Sequence, residues 1–120
     1  MKFITQKIHA FIDYPVALAL IGLPFLLQLG SSNPLAFYIS VAMGVAAFFL
    51  TLLTDHETGV FKVFSYKFHL IVDFIVGLTF VVVPFVLGFE GIDLIFYLAN
   101  GVAVLSVVGM HKEEKVLAVV

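Results

Sequence analysis

Two histidine–aspartate pairs carry the chemistry open to this sequence. His9 precedes Asp13 by four residues, and His69 precedes Asp73 by the same interval. On an α-helix that spacing sets both side chains on one face, within reach of each other. An imidazole beside a carboxylate can exchange a proton near neutral pH. The same two groups ligate divalent metals such as Zn, Fe, Mn or Ni, and a metal-bound imidazole commonly has a carboxylate behind it. His9, Asp13, His69 and Asp73 are therefore the candidate metal ligands. His56 and His111 are outlying candidates. Both stand at the ends of apolar runs, where a cation suits a helix C-terminus, and Lys112, Glu113 and Glu114 crowd His111.

Four uses of the cluster follow from its chemistry. It can glue helices together through hydrogen bonds, hold a divalent metal, or relay protons in ion-coupled transport. Two imidazoles on facing helices could also ligate a haem or serve quinone redox chemistry. There is no Cys, which removes disulfides, thiolate metal sites and cysteine nucleophiles. No Gly-rich phosphate loop, nucleophile elbow or HExxH motif is present. The expectation is a protein that is not an enzyme.

The elements that must position these residues are four apolar runs, over residues 8–29, 35–54, 69–89 and 94–110. Each approaches the ~20 residues that a helix needs to cross ~30 Å of hydrocarbon. Strands seldom exceed ~10 residues, and the alternating polarity of a membrane barrel is missing. The chain of 120 residues is 62% hydrophobic and 12% charged, with a mean hydropathy of +1.19. Soluble domains carry about twice that share of charge, and a short soluble chain could not hide so much apolar surface. A net charge of −2 excludes the basic surface that a nucleic-acid partner requires. The expected fold is an all-α membrane protein, a four-helix bundle of four transmembrane helices with the lipid bilayer as its main partner. A single transmembrane domain covers 1–120.

Orientation follows from the lysines. With four spans, Lys2, Lys7, Lys62, Lys67, Lys112 and Lys115, which are all the basic residues, fall on one side. Positive residues stay inside, so both termini are expected in the cytoplasm and the protein in the inner (plasma) membrane. The Ala17-Leu18-Ala19 triplet suits signal cleavage, but Asp13 interrupts the apolar region. The same segment also recurs within the chain, so it is read as a retained span.

That recurrence is an internal repeat. A shift of 60 residues overlays Lys7, His9, Asp13, Leu18, Pro24 and Phe25 on Lys67, His69, Asp73, Leu78, Pro84 and Phe85. The second and fourth helices align only with gaps, pairing Tyr38, Gly44 and Val45 with Tyr97, Gly101 and Val102. The repeats cover 1–56 and 61–111. A unit of two spans repeats in the same orientation, so two pseudo-symmetric parallel-repeat hairpins are expected. On these residues the chain resembles the SPW-repeat family of small bacterial integral membrane proteins. Its Ser-Pro-Trp triplet would correspond to Leu23-Pro24-Phe25 and Val83-Pro84-Phe85. The segment 54–59, running into Lys67, His69 and Asp73, resembles that family as well. The resemblance implies a membrane-embedded helical repeat and brings no activity with it.

Within the repeat, His, Asp, a small residue (Ala17 or Gly77) and Pro share one face of the first and third helices. A small residue on a bulky helix marks close approach of a neighbour, so this stripe faces the bundle. Each Asp lies six residues past its lysine, roughly 9 Å deeper. A carboxylate facing lipid there would cost at least ~2.5 kcal/mol, so the pairs should converge near the cytoplasmic side. Ser40, Thr51, Thr79, Asn100 and Ser106 are expected to hydrogen-bond between helices. Ser40 with Gly44, Ala42 with Ala46 and Ala99 with Ala103 give small-x-x-x-small spacing. Residues 60–67 suit either a short interfacial helix or the first turns of the third span. Pro24 and Pro84 are expected to kink their helices. The functional expectation is a non-enzymatic structural or partner-binding membrane protein, with metal or proton handling as the alternative. A transporter of this size would need a homo-oligomer.

Overall fold

The computed structural model describes residues 6–53 and 65–109. Among them are four helices and no strand: α1 (Gln6–Leu26), α2 (Leu35–Leu53), α3 (Tyr66–Leu87) and α4 (Gly91–Gly109). Three stretches are long and apolar enough to cross a membrane: Leu35–Leu53, Lys67–Leu87 and Gly91–Gly109. In α1 the apolar stretch is Phe11–Leu26. Large side chains such as Phe25, Leu26, Phe85 and Val86 point outward. In water such a surface would be an aggregation liability, whereas in hydrocarbon it is solvated.

Local chemistry sets the helix ends. The third helix starts at Tyr66, three residues before the apolar run that begins at His69. Ser65 caps it in extended backbone, and its side chain accepts the Phe68 N–H at 3.1 Å. An N-cap hydroxyl satisfies one of the four orphan donors of a first turn. Tyr66 and Lys67 therefore belong to the third helix, while residues 54–64 lie outside the described residues. The fourth helix likewise begins earlier than expected, at Gly91. Pro24 and Pro84 sit in the last turns of α1 and α3. Their carbonyls accept the N–H groups of Leu29 (3.0 Å) and Phe89 (2.8 Å) beyond each helix. The turn after α3 passes through Gly88 at φ 70°, a left-handed conformation that glycine adopts without a Cβ clash.

Packing is concentrated within α1–α2 and within α3–α4. Each pair closes on a glycine. A Cβ on Gly44 would lie 2.7 Å from Ile21 Cγ1 and 2.9 Å from Ile21 N, and one on Gly101 would lie 2.7 Å from Val81 Cγ2. Ile21 and Val81 are related by the same shift of 60, so the gapped pairing of Gly44 with Gly101 holds in space. The pairing of Tyr38 with Tyr97 does not: Tyr97 is fully buried and Tyr38 is 65% exposed. Ser40 and Gly44 face α1 as expected. Ala42, Ala46, Ala99 and Ala103 are exposed on the outer faces or toward the cavity described below, so their spacing does not mark a tight helix contact.

The buried core occupies one half of the molecule. Leu20, Leu29 and Ala36 from the first pair meet Phe80, Phe89, Phe96 and Tyr97 from the second, around the two turns. The Tyr97 ring lies 4.7 Å from Phe80 and 4.8 Å from Phe89, centroid to centroid.

Candidate functional site

At the turn end, hydrogen bonds tie the two hairpins together. Asp93, in the first turn of α4, is fully buried. It accepts from Gly30 N at 2.8 Å, Ser32 N at 3.0 Å and Ser32 Oγ at 2.5 Å. In return, Asn33 Nδ2 donates to Leu87 O at 3.3 Å. Asn33 and Asp93 are 60 apart, so equivalent positions reach across to each other's turn. The Glu90 N–H donates to Ser32 Oγ at 3.0 Å, and the Tyr97 hydroxyl donates to Ala36 O at 2.7 Å. The sequence reading assigns no role to Asp93 or Glu90. The available signal was the register: an Asp that overlays Asn33 at the N-terminus of a helix.

Along α1 and α3, from the turns back toward the helix starts, the stripe of prolines and small residues turns inward as expected. Ala17, Gly77, Pro24 and Pro84 are all buried. One helical turn or more before them, three of the candidate ligands converge. His69 Nε2 lies 3.1 Å from Asp13 Oδ2 of α1 and 3.2 Å from Asp73 Oδ2 of its own helix. The His69 side chain is 2% exposed, and those of Asp13 and Asp73 are 11% and 17% exposed. The i,i+4 pairing within α3 is therefore real, and the imidazole also bridges to the other hairpin. With the turn ends also joined through Asp93, this bridge between the N-terminal parts of α1 and α3 sets the two helices side by side in the same direction. His9 belongs to α1, but its side chain lies outside the described residues, as do His56 and His111 entirely.

The donor atoms of Asp13, His69 and Asp73 all lie within 4.8 Å of one another. Ligand atoms about 2.0–2.2 Å from a tetrahedral metal stand roughly 3.4 Å apart, so a group that spreads over up to 4.8 Å is looser than one small cation requires.

Beside this cluster is a cavity of about 450 Å³ between the hairpins. Its walls come from all four helices and are mostly apolar, with Val16, Leu50, Val76 and Val104 among them. Asp13, His69, Asp73, Thr51 and Asn100 are its polar members. The expectation of interhelical bonds fails for two of these and for Thr79. Thr51 Oγ1 donates to Ala47 O, Asn100 Nδ2 to Phe96 O and Thr79 Oγ1 to Ile75 O, each at 2.8 Å. All three bonds return to the carbonyl one turn earlier on the same helix, the nearest acceptor to a polar side chain in an apolar span. Ser40 alone of the set behaves as expected, donating from α2 to Leu20 O of α1 at 2.8 Å. Ser106 is exposed.

No family model, curated protein or solved structure matches this chain.

Proposed function

We propose that the chain is a small, non-enzymatic, multi-pass protein of the inner (plasma) membrane, in which two like hairpins each cross the bilayer twice. α1 is 21 residues long, enough for ~30 Å at 1.5 Å per residue, and joins the three helices whose apolar stretches are themselves long enough to cross. The lysines put both termini in the cytoplasm, and the same arrangement matches the SPW-repeat resemblance. In this reading the protein has a structural or partner-binding role, and the His–Asp–Asp cluster clasps the hairpins on the cytoplasmic side. The observation that carries it is His69 Nε2, 3.1 Å from a carboxylate on the other hairpin. A polar contact inside hydrocarbon has no water to replace it, so one that links two hairpins holds them in register.

Because the chain has no Cys, single cysteines report topology directly. Ser31→Cys and Glu90→Cys should react with an impermeant maleimide added outside intact cells, and Lys2→Cys only after lysis. Labelling of Ser31→Cys and Glu90→Cys from opposite sides would refute the parallel-hairpin arrangement.

A second reading, a divalent-metal site at the same three residues, is favoured by the 4.8 Å grouping of their donor atoms. Elemental analysis of protein purified without chelator decides between the two. One metal per chain, lost in Asp13→Asn and His69→Ala, establishes the site. A metal-free protein whose His69→Ala variant only melts earlier leaves the clasp.

A further inference from the structure

We propose that the cavity between the hairpins is a binding site for an acyl chain of a phospholipid in the cytoplasmic leaflet. This rests on the membrane reading above, and it assigns the hydrocarbon chain and not the head group.

Close-packed interiors hold few spaces larger than a water molecule. This cavity, about 450 Å³, is many times the ~30 Å³ that one water takes up in the liquid. It lies in the range of small-molecule sites, ~300–1,000 Å³. Its wall is mostly apolar, and apolar cavities stay dry while admitting apolar guests. Inside a bilayer the abundant apolar guest is the acyl chain, which is already out of water.

The length and polarity of the cavity match one leaflet. Along α3 its lining runs from Phe68 to Val76, roughly 12 Å at 1.5 Å per residue. Half of a ~30 Å hydrocarbon core is ~15 Å thick. Asp13, His69, Asp73 and Thr51 line the end toward the helix termini that the lysines place in the cytoplasm, whereas Val16, Leu20 and Val76 lie deeper. Asn100 is the one polar side chain of the deeper wall among the described residues, and it donates to Phe96 O of its own helix. The polar end therefore faces the cytoplasmic interface and the apolar end the middle of the bilayer, which is how a lipid of that leaflet is aligned.

Hydrocarbon also has a way in. α1 packs on α2 and α3 on α4, but α2 and α4 do not pack closely on each other. On those two helices the lining residues Ala46 and Ala103 are small and exposed, and both stand within apolar spans. Leu20 joins the lining to the core, and Tyr97, Phe80 and Phe89 fill the turn half. A chain entering between α2 and α4 thus ends against the core without displacing it.

The chain has no Trp, so single tryptophans report what touches them. Leu50→Trp on α2 and Val107→Trp on α4 are two independent reporters in the cavity wall. Phe85→Trp, on an exposed outer position, and Phe80→Trp, in the core, are the references. The full chain is placed in phosphatidylcholine vesicles with dibrominated or ordinary acyl chains, and bromine quenches the indoles that the chains contact. Leu50→Trp and Val107→Trp should be quenched nearly as strongly as Phe85→Trp and several-fold more than Phe80→Trp. Adding Ala103→Phe, which fills the cavity from its wall, should cut the quenching of Leu50→Trp several-fold and leave that of Phe85→Trp unchanged. Cavity reporters quenched by aqueous acrylamide and not by brominated chains would mean that water occupies the site, and would overturn the proposal. Reporters quenched by neither, as when the hairpins or a second copy close the cavity, also overturn it, as does Leu50→Trp quenching that Ala103→Phe does not change. A Phe85→Trp that brominated chains fail to quench refutes the membrane reading itself, so the two failures are distinguishable.

Discussion

An aspartate in the first turn of a helix ordinarily faces water and complements the positive end of the helix dipole. Asp93 does so while fully buried, because three donors from the other hairpin's turn surround its carboxylate. Asp93→Ala strands two backbone N–H groups in that turn. It should cost about 1.5–3 kcal/mol, the worth of hydrogen bonds to a charged group, measured by reversible unfolding in mixed micelles. Asp93→Asn keeps the shape and one acceptor oxygen, so its loss should be smaller. Equal stability of Asp93→Ala and the parent would show that the turn lock carries no energy. His69 is the counterpart at the other end. Its removal leaves Asp13 and Asp73 facing each other without the imidazole between them. His69→Ala should therefore destabilise more than Asp13→Asn, which removes a charge and a partner together. A reversed order in the same unfolding assay would mean that the imidazole does not bridge the hairpins.

At the scale of the element, glycine placement controls how close the helices lie. Gly44 and Gly101 face backbone as well as side chains: a Cβ on Gly44 would be 2.9 Å from Ile21 N, and one on Gly101 would be 3.1 Å from both Gly77 O and Val81 N. Backbone cannot step aside without moving a helix. The contacts at Gly77 are different, being Leu105 Cδ2 at 2.7 Å and Leu105 Cγ at 2.8 Å, atoms of a side chain that can change rotamer. Gly22 has open space around it. Alanine at these positions should therefore give a graded series. Gly44→Ala and Gly101→Ala should each lose about 1–3 kcal/mol, the usual cost of overpacking, Gly77→Ala less, and Gly22→Ala nothing or a slight gain from helix propensity. Melting temperatures of the four variants check the order, and a Gly22→Ala loss as large as that of Gly44→Ala would contradict the packing described.

In the whole molecule, two tight hairpins are joined at both ends and left apart between α2, α4 and the clasp, where the cavity lies. The turn lock and the clasp are separated by most of a span: Asp13 and Gly30 are 17 residues apart, roughly 25 Å along a helix. Sites that distant with no shared partner usually add within about 0.5 kcal/mol. The double variant Asp93→Ala, His69→Ala should therefore lose the sum of the single losses. A coupling well beyond that margin would mean that the hairpins move as rigid bodies, so that opening one end loosens the other.

The helical class, the four elements, the repeat of 60 and the inward stripe of His, Asp, small residue and Pro are all readable in the linear chain. Each is a local property: hydropathy reports what solvent a residue prefers, and a 3.6-residue period reports which face it occupies. For this reason Ala17, Gly77, Pro24 and Pro84 are buried where the stripe put them. The tertiary structure alone decided which partners meet. A carboxylate that finds donors 61 and 63 residues away and an imidazole shared between hairpins leave no periodic trace. Nor does a hydroxyl that chooses its own helix over its neighbour, as Thr51 and Thr79 do. Those outcomes depend on distances set only once two hairpins have docked, and the cavity between the hairpins follows from the same docking.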